Sequence, residues 1–205
     1  MINIESFEHE KKGLSLFSTF ILNFDPRKRE TSIDLCHNMF IYGAVLSKKP
    51  DSILEVGVGY LYVTVALYMG VKYNGKGKVT CVDNWKDRDY EVPVTIIKKL
   101  ENAGVEVITS DEEDYVRSCE SDKYDFLVSD GDHHRSGLWI DEYLRIVKHD
   151  GFMFFHDTNL VHAYPTLDLI NKRIRELNLP HYHFTESSRE WESCANGMLF
   201  AINKK

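Results

Sequence analysis

The stretch Ile53-Leu54-Glu55-Val56-Gly57-Val58-Gly59-Tyr60-Leu61 decides how the rest of the chain is read. An apolar run ends in two glycines and passes, from Leu61, into a segment with helical apolar spacing. This is a buried strand turning into a helix. Glycine permits the tight turn and lets backbone amides approach a ligand at the positive end of the helix. By itself the pattern marks a turn as readily as a nucleotide site, but two neighbours sharpen it. Val79-Thr80-Cys81-Val82-Asp83 places a carboxylate at the end of the next strand, where doubly wound sheets receive the hydroxyls of a ribose. Glu55 stands just ahead of the glycines, beside the place a cationic ligand group would take. Tyr62 sits where a dinucleotide fingerprint wants glycine or alanine, so a positively charged nucleoside without a pyrophosphate suits the acidic pair better.

Outward from this stretch the apolar periods alternate. Residues 52–58, 78–82, 105–109, 124–129 and 151–155 read as strands. Residues 61–69, 94–103, 111–119 and 136–148 read as the helices between them, with Gly70 and Gly104 placed as terminators. The last of these turns Ile140, Tyr143, Leu144 and Val147 inward. Pro165 opens a further helix, whose Leu167, Ile170, Ile174 and Leu177 recur at three- and four-residue steps. Residues 181–186 and 197–203 are two strands with no helix between them. The expectation is an α/β fold, a doubly wound, mostly parallel seven-stranded sheet with helices on both faces and a terminal antiparallel hairpin. A nicotinamide-type domain would instead continue into a sixth parallel strand.

Residues 1–30 read as an N-terminal helical appendage to a domain spanning 31–205. Phe17, Phe20 and Phe24 lie at helical spacing there and could cover a site, pair with another subunit in a homo-oligomer, or cap the core. Thr31 or Ser32 can cap the next helix, with Ile33, Cys36, Phe40 and Ala44 on one stripe.

At 205 residues the chain is long enough for one domain with a single sufficient core. Hydrophobic residues at 43% and charged residues at 28% exclude disorder, collagen and coiled coil. A net charge of −7 argues against nucleic acid or an anionic membrane as a general partner. The four cysteines form no CxxC pair and fit reduced, buried thiols. Lys11-Lys12-Gly13 and the apolar residues 14–24 imitate a secretory signal, but Glu5, Glu8 and Glu10 precede them and no small-x-small cleavage site follows. The expected protein is soluble and cytoplasmic.

Two dense polar groups carry the chemistry. Ser129-Asp130-Gly131-Asp132-His133-His134 ends the fourth strand, and Phe154-Phe155-His156-Asp157-Thr158 ends the fifth. Ligands of open α/β sheets bind outside those strand ends, so both groups should converge beside Gly57 and Gly59. So much charge at a sheet edge costs stability unless it is paired or liganded.

The pattern Glu55-x-Gly57-x-Gly59, then Asp83, then the closing hairpin resembles class I S-adenosylmethionine-dependent methyltransferases over roughly residues 31–203. A departure is Leu61, where that family often has a third small residue. The resemblance implies S-adenosylmethionine as cofactor, with its methionine portion at Glu55, Gly57 and Gly59 and its ribose at Asp83, and it brings Asn84 and Asp130 into the cofactor's surroundings. Ser110, Asp111 and Glu112 would lie near the adenine, although helix N-terminal charge explains the two acids equally well.

Ser129-Asp130-Gly131-Asp132-His133 with His156-Asp157-Thr158, and Val82-Asp83-Asn84-Trp85, are similar to small-molecule O-methyltransferases related to macrocin methyltransferase and to the so-called cephalosporin hydroxylase. That resemblance implies a divalent ion, magnesium or manganese, on Asp130, His156 and Asp157. It also implies a general base three residues after Asp130, which here is His133, with His134 as the fallback. A cation lowers the pKa of a hydroxyl acceptor, and histidine can take its proton near neutral pH. An imidazole at 156 favours a softer ion such as manganese, iron or zinc over magnesium. The alternatives are that His156 stands behind the ligands or that no metal is used.

The implied acceptor is a hydroxylated small molecule. A nucleic-acid or protein acceptor is opposed by the absence of an Asn/Asp-Pro-Pro-aromatic motif after the fourth strand. A regulatory nucleotide-binding module and a metal-dependent hydroxylase are further readings. Tyr90, Trp139, Tyr164 and Trp191 could line the acceptor pocket or pack in the core.

Overall fold

A computed structural model describes residues 35–59, 61–85, 94–185 and 197–204. The elements run α1 (Leu35–Lys48), β1 (Ser52–Val56), α2 (Tyr62–Asn74), β2 (Lys78–Asp83), α3 (Val94–Asn102), β3 (Glu106–Thr109), α4 (Glu112–Ser118) and β4 (Tyr124–Ser129). A 3-10 turn (Ser136–Trp139) then leads into α5 (Ile140–Ile146), β5 (Val147–His156), α6 (Leu167–Glu176), β6 (His181–Phe184) and β7 (Met198–Ile202). The seven strands form one sheet in the order β3-β2-β1-β4-β5-β7-β6. Strands β1 to β5 are parallel, and β7 runs antiparallel to both β5 and β6. The expected closing hairpin is present, with β7 inserted between β5 and its own partner β6.

The central strands are apolar on both faces, as strands covered by helices on either side must be. Leu54, Val56, Leu127 and Phe155 pack with Tyr143, Leu144, Ile170 and Ile174 on the α5–α6 side. Ile53, Phe126 and Phe154 share the other core with Ile41, Val45 and Leu67 of α1 and α2. Ile140, Tyr143, Leu144 and Val147 are buried as expected, although Val147 already belongs to β5. That strand starts four residues earlier than its glycine suggested.

Three further expectations are corrected. Gly70 does not end α2. The helix runs on to Asn74 and is closed by Gly75 in the left-handed conformation. Gly70 is glycine because α1 crosses there: a Cβ would stand 2.5 Å from Val45 Cγ1. The inward stripe of α1 is also one position out of phase. Ile41 and Val45 are buried and Phe40 is 40% exposed, because the helix turns His37 and Asn38 toward the carboxyl edge of the sheet. Leu177 falls just past α6 and is exposed, and Leu179 fills the core below it. The appendage over residues 1–30, the cap at Thr31 or Ser32, Ile33, Tyr90, Trp191 and the side chain of Cys36 lie outside the described residues.

The crossing at Gly70 gives a direct test. Gly70→Ala is expected to cost about 1–3 kcal/mol in urea unfolding, as overpacked cores do, despite alanine's better helix propensity. Combined with Val45→Ala, the loss should fall short of the sum of the single effects by more than about 0.5 kcal/mol. Strict additivity would show that the two positions do not touch.

Candidate active site

Register places the site. Val56 pairs with Val82 on one side and with Ser129 on the other, and Ser129 pairs with Phe155. The next residues along, Gly57, Asp83, Asp130 and His156, therefore leave the sheet at one level on its carboxyl edge. Here the two polar loops touch the glycine turn. The Asp130 N–H donates to the Val56 carbonyl at 2.8 Å and the Gly57 N–H to that of Val82 at 3.0 Å. Gly57 has φ +78°, and a Cβ on it would overlap Gly131 Cα and the Asp130 carbonyl. No side chain fits. Gly59, at φ +54°, differs: a Cβ there meets no atom within 4 Å among the described residues. Leu61 takes φ +70° at the start of α2, a conformation that costs a branched residue about 1–2 kcal/mol and glycine little. Its side chain is buried, which offsets that cost.

Glu55 and Asp83 both lie beneath this turn. Asp83 takes the Val58 N–H on Oδ2 and the Trp85 N–H on Oδ1, each at 2.8 Å, and so shapes the loops after β1 and β2. Glu55 is 0% exposed, and its Oε2 accepts from Thr64 Oγ1 at 2.6 Å and Cys81 Sγ at 3.1 Å. Its Oε1 is buried with no hydrogen-bond partner among the described residues. Burial pushes the Glu55 carboxyl up to about 8 against the pull of its two donors. Asn84 follows Asp83 at the same edge, half-buried. Ser110 reaches it from β3, its N–H bonding to the Asp83 carbonyl at 3.1 Å.

Asp111 is placed as a helix cap. It accepts from the Glu113 N–H at 2.9 Å and pairs with Arg135 at 3.1 Å. Glu112 turns inward instead. It accepts the Asp132 N–H at 2.8 Å and the Tyr143 hydroxyl, and a Cβ on Gly131 would overlap its carboxylate. Burial raises its carboxyl pKa above the usual range. Tyr143 receives Trp139 Nε1 at 3.0 Å, so Trp139 is a buried prop of this network and not part of a pocket wall.

The densest charge lies at the ends of β4 and β5. His156 Nδ1 is 3.1 Å from Asp130 Oδ1 and 3.1 Å from Asp157 Oδ1. His133 Nε2 is 3.6 Å from Asp130 Oδ1 and touches Asp157 Oδ2. Asp157 adopts φ +57°, a strained conformation for aspartate and a common one at functional sites. Burial opposes charge on both imidazoles, but the Asp130 and Asp157 carboxylates outweigh it and push His133 and His156 up to about 10. The same two imidazoles hold both carboxyls below their usual range against burial.

One atom from each of Asp130, His156 and Asp157 falls within 4.8 Å of the others, a span that one metal ion could bridge. Asp157 Oδ1 and His133 Nε2 are buried with no hydrogen-bond partner among the described residues, whereas His156 Nδ1 lies in hydrogen-bond geometry to Asp130 Oδ1 at 3.1 Å. The orphaned Asp157 oxygen fits a ligand role toward a cation.

His134 is exposed and packs edge-on against Tyr164, which also lies beside His133. Asp132 pairs with Arg135 at 2.6 Å and stays out of the cluster. Sequence reasoning missed His37, whose Nδ1 lies 3.2 Å from His156 Nε2. The signal was the run His37, Ile41, Val45 at four-residue steps, which sets the true inward face of α1.

The chain matches the family described as methyltransferase domain over residues 54–158, just over half its length, from within β1 to the end of the cluster. It belongs to that family. It is a class I S-adenosylmethionine-dependent methyltransferase. Among curated proteins no sequence matches it.

Several solved structures share the fold of this methyltransferase at low identity. TomG from Streptomyces achromogenes, an O-methyltransferase involved in tomaymycin synthesis and determined with S-adenosylmethionine, aligns with a TM-score of 0.71 at 11% identity, covering 94% of this chain and 90% of its own. An O-methyltransferase from Bacillus cereus, determined with S-adenosylhomocysteine, gives 0.67 at 16% identity, covering 95% and 90%. The S-adenosylhomocysteine-bound methyltransferase PaMTH1 from Podospora anserina gives 0.67 at 12% identity, covering 94% and 88%. A cavity of about 190 Å³ lined by Tyr68, Lys72 and Lys76 lies at the opposite, amino edge of the sheet, away from every residue of the methyltransferase site.

Glu55, fully buried, predicts a pH dependence. Because Glu55 titrates near 8 when folded and near 4.5 when unfolded, the folded state holds the extra proton between those values. Stability must then fall as pH rises through that window. Relative to Glu55→Gln, the ligand-free wild-type methyltransferase should lose stability steadily from about pH 5 to pH 8 in chemical denaturation. Parallel stability curves for the two proteins would show that Glu55 is not a buried proton-binding group.

Proposed function

We propose that this methyltransferase carries the methyl group of S-adenosylmethionine to a hydroxyl of a small molecule, with a divalent cation on Asp130, His156 and Asp157 and with His133 as general base. The observation that carries this reading is the convergence of two carboxylates and two imidazoles directly against the Gly57 turn. On it, Gly57, Gly59 and the buried Glu55 serve the methionine portion of the cofactor, and Asp83 and Asn84 serve the ribose. Ser110 borders the adenine side, where Asp111 acts mainly by capping α4. When bound, the cofactor supplies an electrophilic methyl group on a sulfonium, so transfer breaks an S–C bond and forms an O–C bond.

The chain's own residues hold the acceptor and move its proton. On this reading the acceptor oxygen faces the methyl group in line and loses its proton to His133. The Asp130 and Asp157 carboxylates raise the pKa of the His133 imidazole against the effect of burial. A divalent cation held by Asp130, His156 and Asp157 would supply positive charge to those carboxylates and so favour the neutral, basic form of His133. A divalent ion there would also lower the hydroxyl pKa and fix its direction. Two carboxylates and an imidazole suit manganese, iron or zinc better than magnesium. Tyr164, against His133 and His134, supplies an aromatic wall on the acceptor side. The fold shared with an O-methyltransferase of tomaymycin synthesis agrees with a small hydroxylated acceptor.

The test is turnover of S-adenosylmethionine with a panel of phenols and sugars, with and without chelator. Chelation is expected to abolish transfer and manganese to restore it. His133→Asn should lower kcat by about 10²–10⁴-fold while calorimetric binding of S-adenosylhomocysteine stays unchanged. Transfer that survives chelation would remove the metal from the reading, and a fully active His133→Asn would remove the base.

A further inference from the structure

His37 has no part in the reading above, although it is buried, 3% exposed, and reaches the cation site from a different element. It lies on α1, and its Nδ1 stands 3.2 Å from His156 Nε2. The two rings meet edge to face at 77°, 5.3 Å between centroids, and the Phe184 ring lies 5.8 Å from His37. His37 is thus fixed by packing and aimed at the ring nitrogen of His156 that faces away from the carboxylates.

We propose that His37 is a positioning residue for the metal site: it holds His156 as the tautomer with hydrogen on Nε2, so that Nδ1 offers its lone pair to a cation shared with Asp130 and Asp157. This inference rests on the metal reading proposed above. A neutral imidazole carries one hydrogen, so the nitrogen that coordinates is decided by the partner of the other nitrogen. His156 Nδ1 faces Asp130 and Asp157 at 3.1 Å each. If Nδ1 coordinates, the hydrogen sits on Nε2 and needs an acceptor in a place where His156 is buried. His37 Nδ1 is that acceptor, and the hydrogen of His37 then sits on its own Nε2. The opposite polarity, with His37 donating to His156 Nε2, would put the His156 hydrogen on Nδ1 and point it at the carboxylates. No cation could then use that nitrogen. The hydrogen bond between the two rings therefore sets whether three ligands are available or two.

The full-length protein, stripped of metal, is titrated calorimetrically with manganese as wild type, His37→Phe and His37→Asn. Phenylalanine keeps the bulk and removes the acceptor, whereas the asparagine side-chain oxygen can stand in for Nδ1. Manganese affinity is expected to fall about 10–100-fold in His37→Phe, the usual effect of losing the hydrogen-bond partner of a ligand histidine, and to recover most of that loss in His37→Asn. Binding of S-adenosylhomocysteine reports that each variant is folded. Unchanged manganese affinity in His37→Phe overturns the role of His37 and leaves the metal site standing. Equal weakening of both variants overturns it as well, since that is a packing effect. A wild type that binds no manganese removes the metal site, and this inference with it. Should His37→Phe not fold, nitrogen NMR of the zinc-loaded wild type decides: hydrogen on His156 Nε2 and zinc on Nδ1 are expected, and the reverse assignment overturns the proposal.

Discussion

Backbone pressed against backbone, at Gly57 on one side and Asp130–Gly131 on the other, is the constraint from which the site follows. Two parallel neighbours ending at the same level would ordinarily diverge into separate loops. Here the Asp130 N–H is tied to the Val56 carbonyl, and the missing Cβ of Gly57 lets the second loop lie directly on the first. Gly131 continues the contact downward onto the carboxylate of Glu112, which Tyr143 and Trp139 support from the core. A chain of close approaches thus runs from the glycine turn through the acidic loop to a buried aromatic floor. Asp130 and His133 are held by that chain and not by their own loop alone.

The charges at this edge are tolerated because each is offset by a neighbour of opposite sign. Asp130 and Asp157 would be costly to bury beside each other, and the imidazoles of His133 and His156 carry the compensating charge. Glu55 has no such neighbour. It resolves the same problem by holding its proton, assisted by its distance from the surface and by donors on one oxygen only. Two solutions to one electrostatic problem stand on adjacent strands.

Much of this was legible in the residues. The central strands β1, β4 and β5 announced themselves because each is an apolar run closed by glycine or by a cluster of acids and histidines. Register did the rest, since parallel strands of equal reach deliver Gly57, Asp83, Asp130 and His156 to one level. What could not be read were contacts between elements distant in the chain. Gly70 looks like a stop signal from its neighbours, and only the crossing of α1 explains it as a space-maker. Asp111 and Glu112 look alike in sequence, yet one caps a helix and the other is swallowed by the core. His37 was hidden by a phase error of one position on a helix whose apolar stripe is short. Trp139 was ambiguous for a related reason: an aromatic side chain that can line a pocket can equally support one.

The order of the last strands carries a consequence for how the molecule is made. Strand β6 precedes β7 in the chain but lies outside it in the sheet, and its ladder partner is β7. When residues 181–184 have left the ribosome, the edge of β5 is still bare and β6 has nothing to bond to. Neither the ladder to β5 nor the ladder to β6 can form until Met198–Ile202 is available. Until that happens the nascent chain exposes an apolar strand edge at Phe152–His156, the kind of surface that molecular chaperones recognise.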